Sequence, residues 1–187
     1  MAKKDNGAAA SRTVSIPLRT PLNLGGITCD ALDLREPTAG DMERASNVVG
    51  GVAGDMELLC CITGTPLALI KKVGLSDHRK AMAFLRPLMT DIAPSEATEF
   101  ACDIPLADPI VVGDTTYEIL KLREPMLGEL DTATKAPGSG VSKNLALIGC
   151  IVGLDPKKLR PIRASELNAA VAFLSPFMDA SPETTES

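Results

Sequence analysis

The sequence predicts an α+β fold of two tandem repeats, each a β-hairpin followed by three or so short helices. The first observation behind this is that the chain says nearly the same thing twice. Residues 16 to 45 read IPLRTPLNLGGITCDALDLREPTAGDMERA, and residues 104 to 133 read IPLADPIVVGDTTYEILKLREPMLGELDTA. They align without a gap at an offset of about 88 residues. After a one-residue slip, CITG at Cys61 to Gly64 meets CIVG at Cys150 to Gly153, and AFLRPLM at Ala83 to Met89 meets AFLSPFM at Ala172 to Met178. The second observation is the period itself. It exceeds the roughly 20–50 residues of solenoid repeats, and each copy is long enough to bury a core of its own. The third is the order of patterns in each copy: alternating apolar residues around a glycine turn, then apolar helical runs.

The elements follow in order. Residues 1–13 and 180–187 are polar and rich in small residues, and they read as disordered tails. The first repeat covers 14–90 and the second 103–179, joined by a linker over 91–102 in which Pro94-Ser95-Glu96 starts a short helical turn. Each repeat opens with two strands around Gly25-Gly26 or Gly113-Asp114. A two-residue loop with Gly first suits a type II′ turn, because Gly reaches positive φ without steric cost. Pro17, Pro21, Pro105 and Pro109 cannot donate ladder hydrogen bonds, so the first strand is an edge strand or is interrupted. The second strand ends at Leu-Arg-Glu-Pro in both copies, since a residue before proline is pushed out of the helical region.

Thr38 with Asp41 three residues on is a conservative capping box. Met126 replaces the cap in the second copy, so its first helix should start less sharply. That helix is expected from about Ala39 to Val48, matched by Leu127 to Lys135. The second helix is expected from about Asp55 to Thr63, matched by Ser142 to Val152. The Gly-rich stretches before them, 47–54 and 136–140, then read as mobile loops able to gate a guest helix. Pro66 and Pro156 open short turns behind Thr65 and Asp155. The last helix starts at an N-cap serine, Ser76 or Ser165, and runs to Met89 or Met178. The expected core is Leu32, Leu34, Leu58, Ile62, Ala83, Phe84 and Leu85, with Leu120, Leu122, Leu147, Ile151, Phe173 and Leu174.

Composition narrows the function classes. A net charge of −5, no Lys/Arg stripe, four Phe, one Tyr and no Trp leave neither a basic groove nor stacking platforms, so nucleic acid is not expected as a partner. No apolar run reaches the ~18 residues of a membrane span, and the N-terminus has no apolar stretch behind its lysines, so neither a membrane nor a secretory signal is expected. The five cysteines show no Cys-x-x-Cys spacing and suit a reducing cytoplasm.

No active site is legible, and no cofactor or metal is expected. The single histidine, His78, aligns with Leu167 and has no partner that recurs, so it reads as an ordinary partly exposed side chain. The acidic stretch Asp30, Asp33, Glu36, Asp41, Glu43 is broken in the second copy. The most specific local signal is Arg35, Glu36 and Pro37, repeated as Arg123, Glu124 and Pro125. Its structural reading is a stiff strand-to-helix corner, with Arg and Glu fixing the bend by charge-assisted hydrogen bonds. Its functional reading is an Arg that docks a partner's carboxylate or helix C-terminus.

These residues carry a family resemblance. Ile16, Leu18, Pro21, Gly25, Leu32, Leu34 to Thr38, Gly40 and Asp41 form a pattern that resembles the phage tail assembly chaperones of Mu-like and P2-like myophages. So do Ile104, Leu106, Pro109, Gly113, Leu120, Leu122 to Pro125, Gly128 and Glu129. The Leu-rich helix at Leu58 to Pro66 and the AFL helix at Ala83 to Leu85 extend the likeness, and both recur at Leu145 to Asp155 and Ala172 to Leu174. The usual member is a single unit, so the duplication departs from the pattern. The resemblance implies a non-catalytic protein of the host cytoplasm, made for virion morphogenesis and absent from the mature particle. It implies a tape measure protein, and tail tube subunits, as partners. The rival readings are a structural tail or baseplate-associated virion protein and, motivated only by short helices, a nucleic-acid-binding regulator.

Overall fold

The computed structural model describes residues 12–90 and 97–178. Both expected tails lie outside them almost entirely, as does the turn at Pro94 to Glu96. The chain forms two repeat-like α+β units. In the first, β1 (Thr13–Leu24) pairs antiparallel with β2 (Ile27–Arg35) and is followed by α1 (Ala39–Ser46), α2 (Gly51–Thr63), α3 (Leu67–Ile70) and α4 (Leu75–Leu85), which tightens into a 3-10 turn over Arg86–Met89. In the second, β3 (Ala101–Val112) pairs with β4 (Thr115–Arg123), followed by α5 (Leu127–Thr134), α6 (Gly140–Val152), α7 (Pro156–Leu159) and α8 (Ala164–Met178).

Each sheet has two strands, and the prolines act on the register as expected. Pairing breaks between Pro17 and Leu22 and again between Pro105 and Ile110, at equivalent places. The interrupted backbone finds a partner in the last helix of its own unit. Arg19 N donates to Asp77 Oδ2 at 3.1 Å, and Ala107 N donates to Glu166 Oε1 at 2.6 Å. Both acids sit at the third position of their helices and are buried.

Two apolar clusters form. One joins Ile16, Leu32, Leu34, Leu58, Leu59, Leu69 and Leu85 with their neighbours. The other joins Ile104, Leu120, Leu122, Leu145, Ile148, Leu159, Leu167 and Leu174, and it includes Ala39 of α1. Most of the expected core is buried. The exceptions are Ala83, which is exposed, and Phe84 and Ile151, which are half-buried. In α4 the buried stripe runs through Ala81, Met82 and Leu85, turning Ala83 outward.

Four local expectations are corrected. Gly25 and Gly26 have φ of 56° and 85°, the signs of a type I′ turn, which a second glycine permits. At Gly113-Asp114 only the glycine is positive, as expected. Next, α2 begins at Gly51 and α6 at Gly140, so half of the stretch read as a first gating loop is helix. Gly54 lies so close to α1 that a Cβ there would meet the Ala45 carbonyl at 3.2 Å. Helix packing outweighs the glycine cost of about 1 kcal/mol. Ser76 and Ser165 are second residues of their helices rather than N-caps; at the entry of α8 it is Glu166 that accepts, from Arg163 N at 2.7 Å. Finally, α5 starts at the residue equivalent to the start of α1. Glu129 Oε2 accepts from Met126 N at 2.8 Å, and that half of the box suffices. α7 follows its expected cap, with Asp155 accepting from Lys157 N, whereas Pro66 sits one place before α3.

The two AFL helices should therefore respond differently to truncation. Phe173→Ala removes a buried ring in edge contact with Phe177, and should cost about 3–5 kcal/mol by urea denaturation. Phe84→Ala, at a half-buried site, should cost about half as much.

Candidate interaction surface

The Leu-Arg-Glu-Pro corner works differently from its sequence reading. Arg35 does not pair with Glu36. Its Nη1 reaches Asp41 Oδ2 at 2.7 Å and the Glu36 carbonyl at 3.1 Å. That same Asp41 oxygen also accepts from Thr38 N and from the Thr38 hydroxyl, each at 2.9 Å, and Thr38 Oγ1 accepts from Asp41 N at 3.2 Å. Burial alone would push the Asp41 carboxyl up, but Arg35 and the two Thr38 donors outweigh it and hold the group below its ordinary 3.8. The second unit repeats the arrangement. Arg123 grips Glu129 through both Nη atoms, at 3.0 and 2.7 Å, and bonds the Glu124 carbonyl at 3.0 Å. The Arg123 bonds and the Met126 N–H lower the Glu129 carboxyl in turn. The arginines thus brace the bend, and the glutamates of the motif are left to point elsewhere.

Glu36 points into the second unit, where its carboxylate accepts from Ser165 N at 3.2 Å and from the Ser165 hydroxyl. Around it the first corner docks on the loop between α7 and α8. Ala39 N donates to Ile162 O at 2.8 Å, Gly40 N to Arg160 O at 2.9 Å, and Ala164 N to Pro37 O at 2.8 Å, with Thr38 and Arg163 forming a short antiparallel bridge. The approach is close enough to demand glycine, for a Cβ on Gly40 would meet Arg160 Cβ at 3.2 Å. Glu43 completes the seam with Arg160 Nε at 2.6 Å and the Ser142 hydroxyl at 3.0 Å. Farther along, the loops expected to act as two separate gates meet each other: Ser139 N donates to Asn47 Oδ1 at 2.9 Å, and the hydroxyls of Ser46 and Ser139 lie 2.6 Å apart.

Among the described residues the second corner has no such cover. Ala39 is 0% exposed and its equivalent Leu127 is 86% exposed; Met126, equivalent to Thr38, is 63% exposed. A Cβ on Gly128 would meet nothing within 4 Å. On the first unit, the loop between α3 and α4 is equally open, with Leu75 74% exposed where its equivalent Ala164 is 0%. Sequence reasoning singled out the six motif residues but missed Glu43, Arg160 and Ser165, because nothing in a repeat marks which copy faces which.

Other chemistry is sparse. His78 Nε2 lies 3.2 Å from Asp55 Oδ2 without forming a hydrogen bond. All five cysteines are free thiols. Among the described residues no group of three or more His, Cys, Asp or Glu is arranged to hold a metal ion, and no helix is long and apolar enough to cross a membrane.

Two measurements check this geometry. A carboxyl held below its ordinary value contributes stability that is present above that value and is lost as pH falls through the lower folded one. Asp41→Asn should therefore cost about 1–2 kcal/mol at neutral pH. Its stability should also fall less than that of the parent as the pH drops below 3.8, as read by urea denaturation across that range. Gly128→Ala should gain about 0.5–1 kcal/mol of helix propensity in open space. Gly40→Ala, pressed against Arg160, should lose that gain and fall below the parent in thermal unfolding.

Residues 15–90, the first hairpin with its helices, match the family model described as "Phage tail assembly chaperone proteins, E, or 41 or 14". No curated protein and no solved structure matches the chain. The matched span carries the Arg35–Asp41 corner, the interrupted β1 and the helices packed on them. Its first unit is thus similar to the phage tail assembly chaperone family.

Proposed function

We propose that the chain is a non-catalytic chaperone of tail assembly that binds the tape measure protein and keeps it soluble while tail tube subunits are recruited. The observation that carries this reading is the family match over residues 15–90. The residues are compatible with it. The surface is acidic overall, with a net charge of −5, and it exposes aliphatic side chains singly on both units, among them Ile27, Val49, Val52 and Val111. Such side chains give apolar contact to an amphipathic guest helix without demanding one register. A protein acting in this way works in the host cytoplasm and leaves before the particle matures.

Two measurements on the full chain test this. Co-expression should move tape measure fragments from the pellet to the soluble fraction and should leave an unrelated insoluble helical protein where it was. Proteomics of purified virions should find the chain absent, or far below the copy number of the tube subunit. Insoluble fragments together with stoichiometric incorporation into particles would replace this reading with that of a structural tail component. The intact chain is the object to use, since Ala39 of the first unit is buried in the core of the second.

A further inference from the structure

We infer that the chain joins head to tail with further copies of itself, the corner of the second unit (124–131) docking on the α3–α4 loop (71–76) of the next molecule. The template is the joint inside the chain. There the corner of the first unit sits on the α7–α8 loop of the second through three backbone hydrogen bonds, the Glu36–Ser165 contact and the Glu43–Arg160 ion pair. This joint is heterologous, because it uses a corner from one unit and a loop from the other. It leaves one unused loop on the first unit and one unused corner on the second. Repeating a heterologous contact between identical units builds a ring or an open filament.

The two unused faces are open and still match each other. Glu124 and Ser76 stand where Glu36 and Ser165 meet, and Asp131 and Lys71 stand where Glu43 and Arg160 pair. Asp131 now makes only an exposed contact with Lys135 in its own helix, at 2.6 Å, which the joint would exchange for Lys71. The apolar residues have changed as well. On the corner side Thr38 and Ala39 become the larger Met126 and Leu127; on the loop side Ile162 becomes the smaller Val73, and Arg163, whose side chain pairs with Asp108 of its own unit, becomes Gly74. Leu75 replaces Ala164 and adds apolar area, and it is 74% exposed in the single chain. Gly128 keeps the residue that close approach requires at Gly40, although nothing in its own chain comes near it. The contacts of Ser46 and Asn47 with Ser139 have no counterpart in Thr134, Lys135 and Gly50, so this joint is weaker than the internal one.

Sedimentation velocity on the purified full chain tests the proposal. The wild-type mass should rise with concentration past that of a dimer. Leu127→Asp spoils the corner and Leu75→Asp spoils the loop. Both side chains are largely exposed, so each variant should keep the parent's circular dichroism and melting temperature, and each should be monomeric alone. Mixed in equal amounts they should form a heterodimer and nothing larger, since one intact corner then meets one intact loop. A wild-type chain that stays monomeric at millimolar concentration overturns the proposal. So does association that survives in either variant, or a mixture that fails to dimerise. The proposal rests on the internal joint and not on the chaperone reading, so an assembling chain that protects no guest leaves it standing.

Discussion

A single carboxylate at the third position of the first helix sets the shape of each unit. Asp41 binds the arginine that ends the strand, the N–H that opens the helix, and the hydroxyl that caps it. Its counterpart Glu129 binds Arg123 and the Met126 N–H. With these bonds made, hairpin and helix cannot swing about the proline between them, and the backbone of the corner projects as a rigid edge. A short exposed ion pair would contribute under ~1 kcal/mol. These carboxylates are largely shielded and accept several donors at once, which is the geometry in which charge-assisted bonds count. Because the bend is held by Arg and the acid of the capping box, the motif glutamate is free to act between units.

The second constraint is the pair of prolines in the first strand of each hairpin. They break the ladder, and the break exposes a backbone N–H that must be satisfied. Asp77 and Glu166 satisfy it, and so they tie the hairpin to the last helix across 58 and 59 residues of chain. The two acids respond in opposite senses. The backbone N–H of Arg19 and then the Lys80 ammonium lower the Asp77 carboxyl. Burial raises that of Glu166 despite two backbone donors. The difference lies chiefly in burial, which outweighs the donors at Glu166 and is outweighed by Arg19 N and Lys80 at Asp77.

The parts of this architecture that were legible in the sequence are those written by local rules. Proline placement gave the interrupted strand, Leu-Arg-Glu-Pro gave the corner, and Thr38 with Asp41 gave the start of α1. The Arg and Glu of the motif were read as fixing the bend together, but the carboxylate that Arg35 grips is not the motif's own. The bend instead brings Asp41 back over the strand end. Gly51 and Gly54 were misread as loop because propensity argues against glycine in a helix, while the close crossing of α2 over α1 favours it at Gly54. Ser76 and Ser165 were misread as caps because serine is a common N-cap; Ser165 instead donates across the seam to Glu36. The seam itself was not legible, since it joins residues far apart in the chain largely through backbone groups that every residue carries.

Duplication makes two copies of every surface, but it cannot place both copies in the same surroundings. Once the first corner is docked on the second unit, Ala39 and Ala164 are closed in and must stay small, and Gly40 must stay glycine. Leu127, Leu75 and Met126 occupy the matching positions in the open and are under no such restriction from their own chain. At these positions the copies differ as their environments do, while the brace of Arg and acid is kept in both. An exposed leucine at the opening residue of a helix costs solubility and gives the single chain nothing. Two such residues on two complementary faces are hard to account for within one molecule, and they are accounted for at once if each face meets its complement on another.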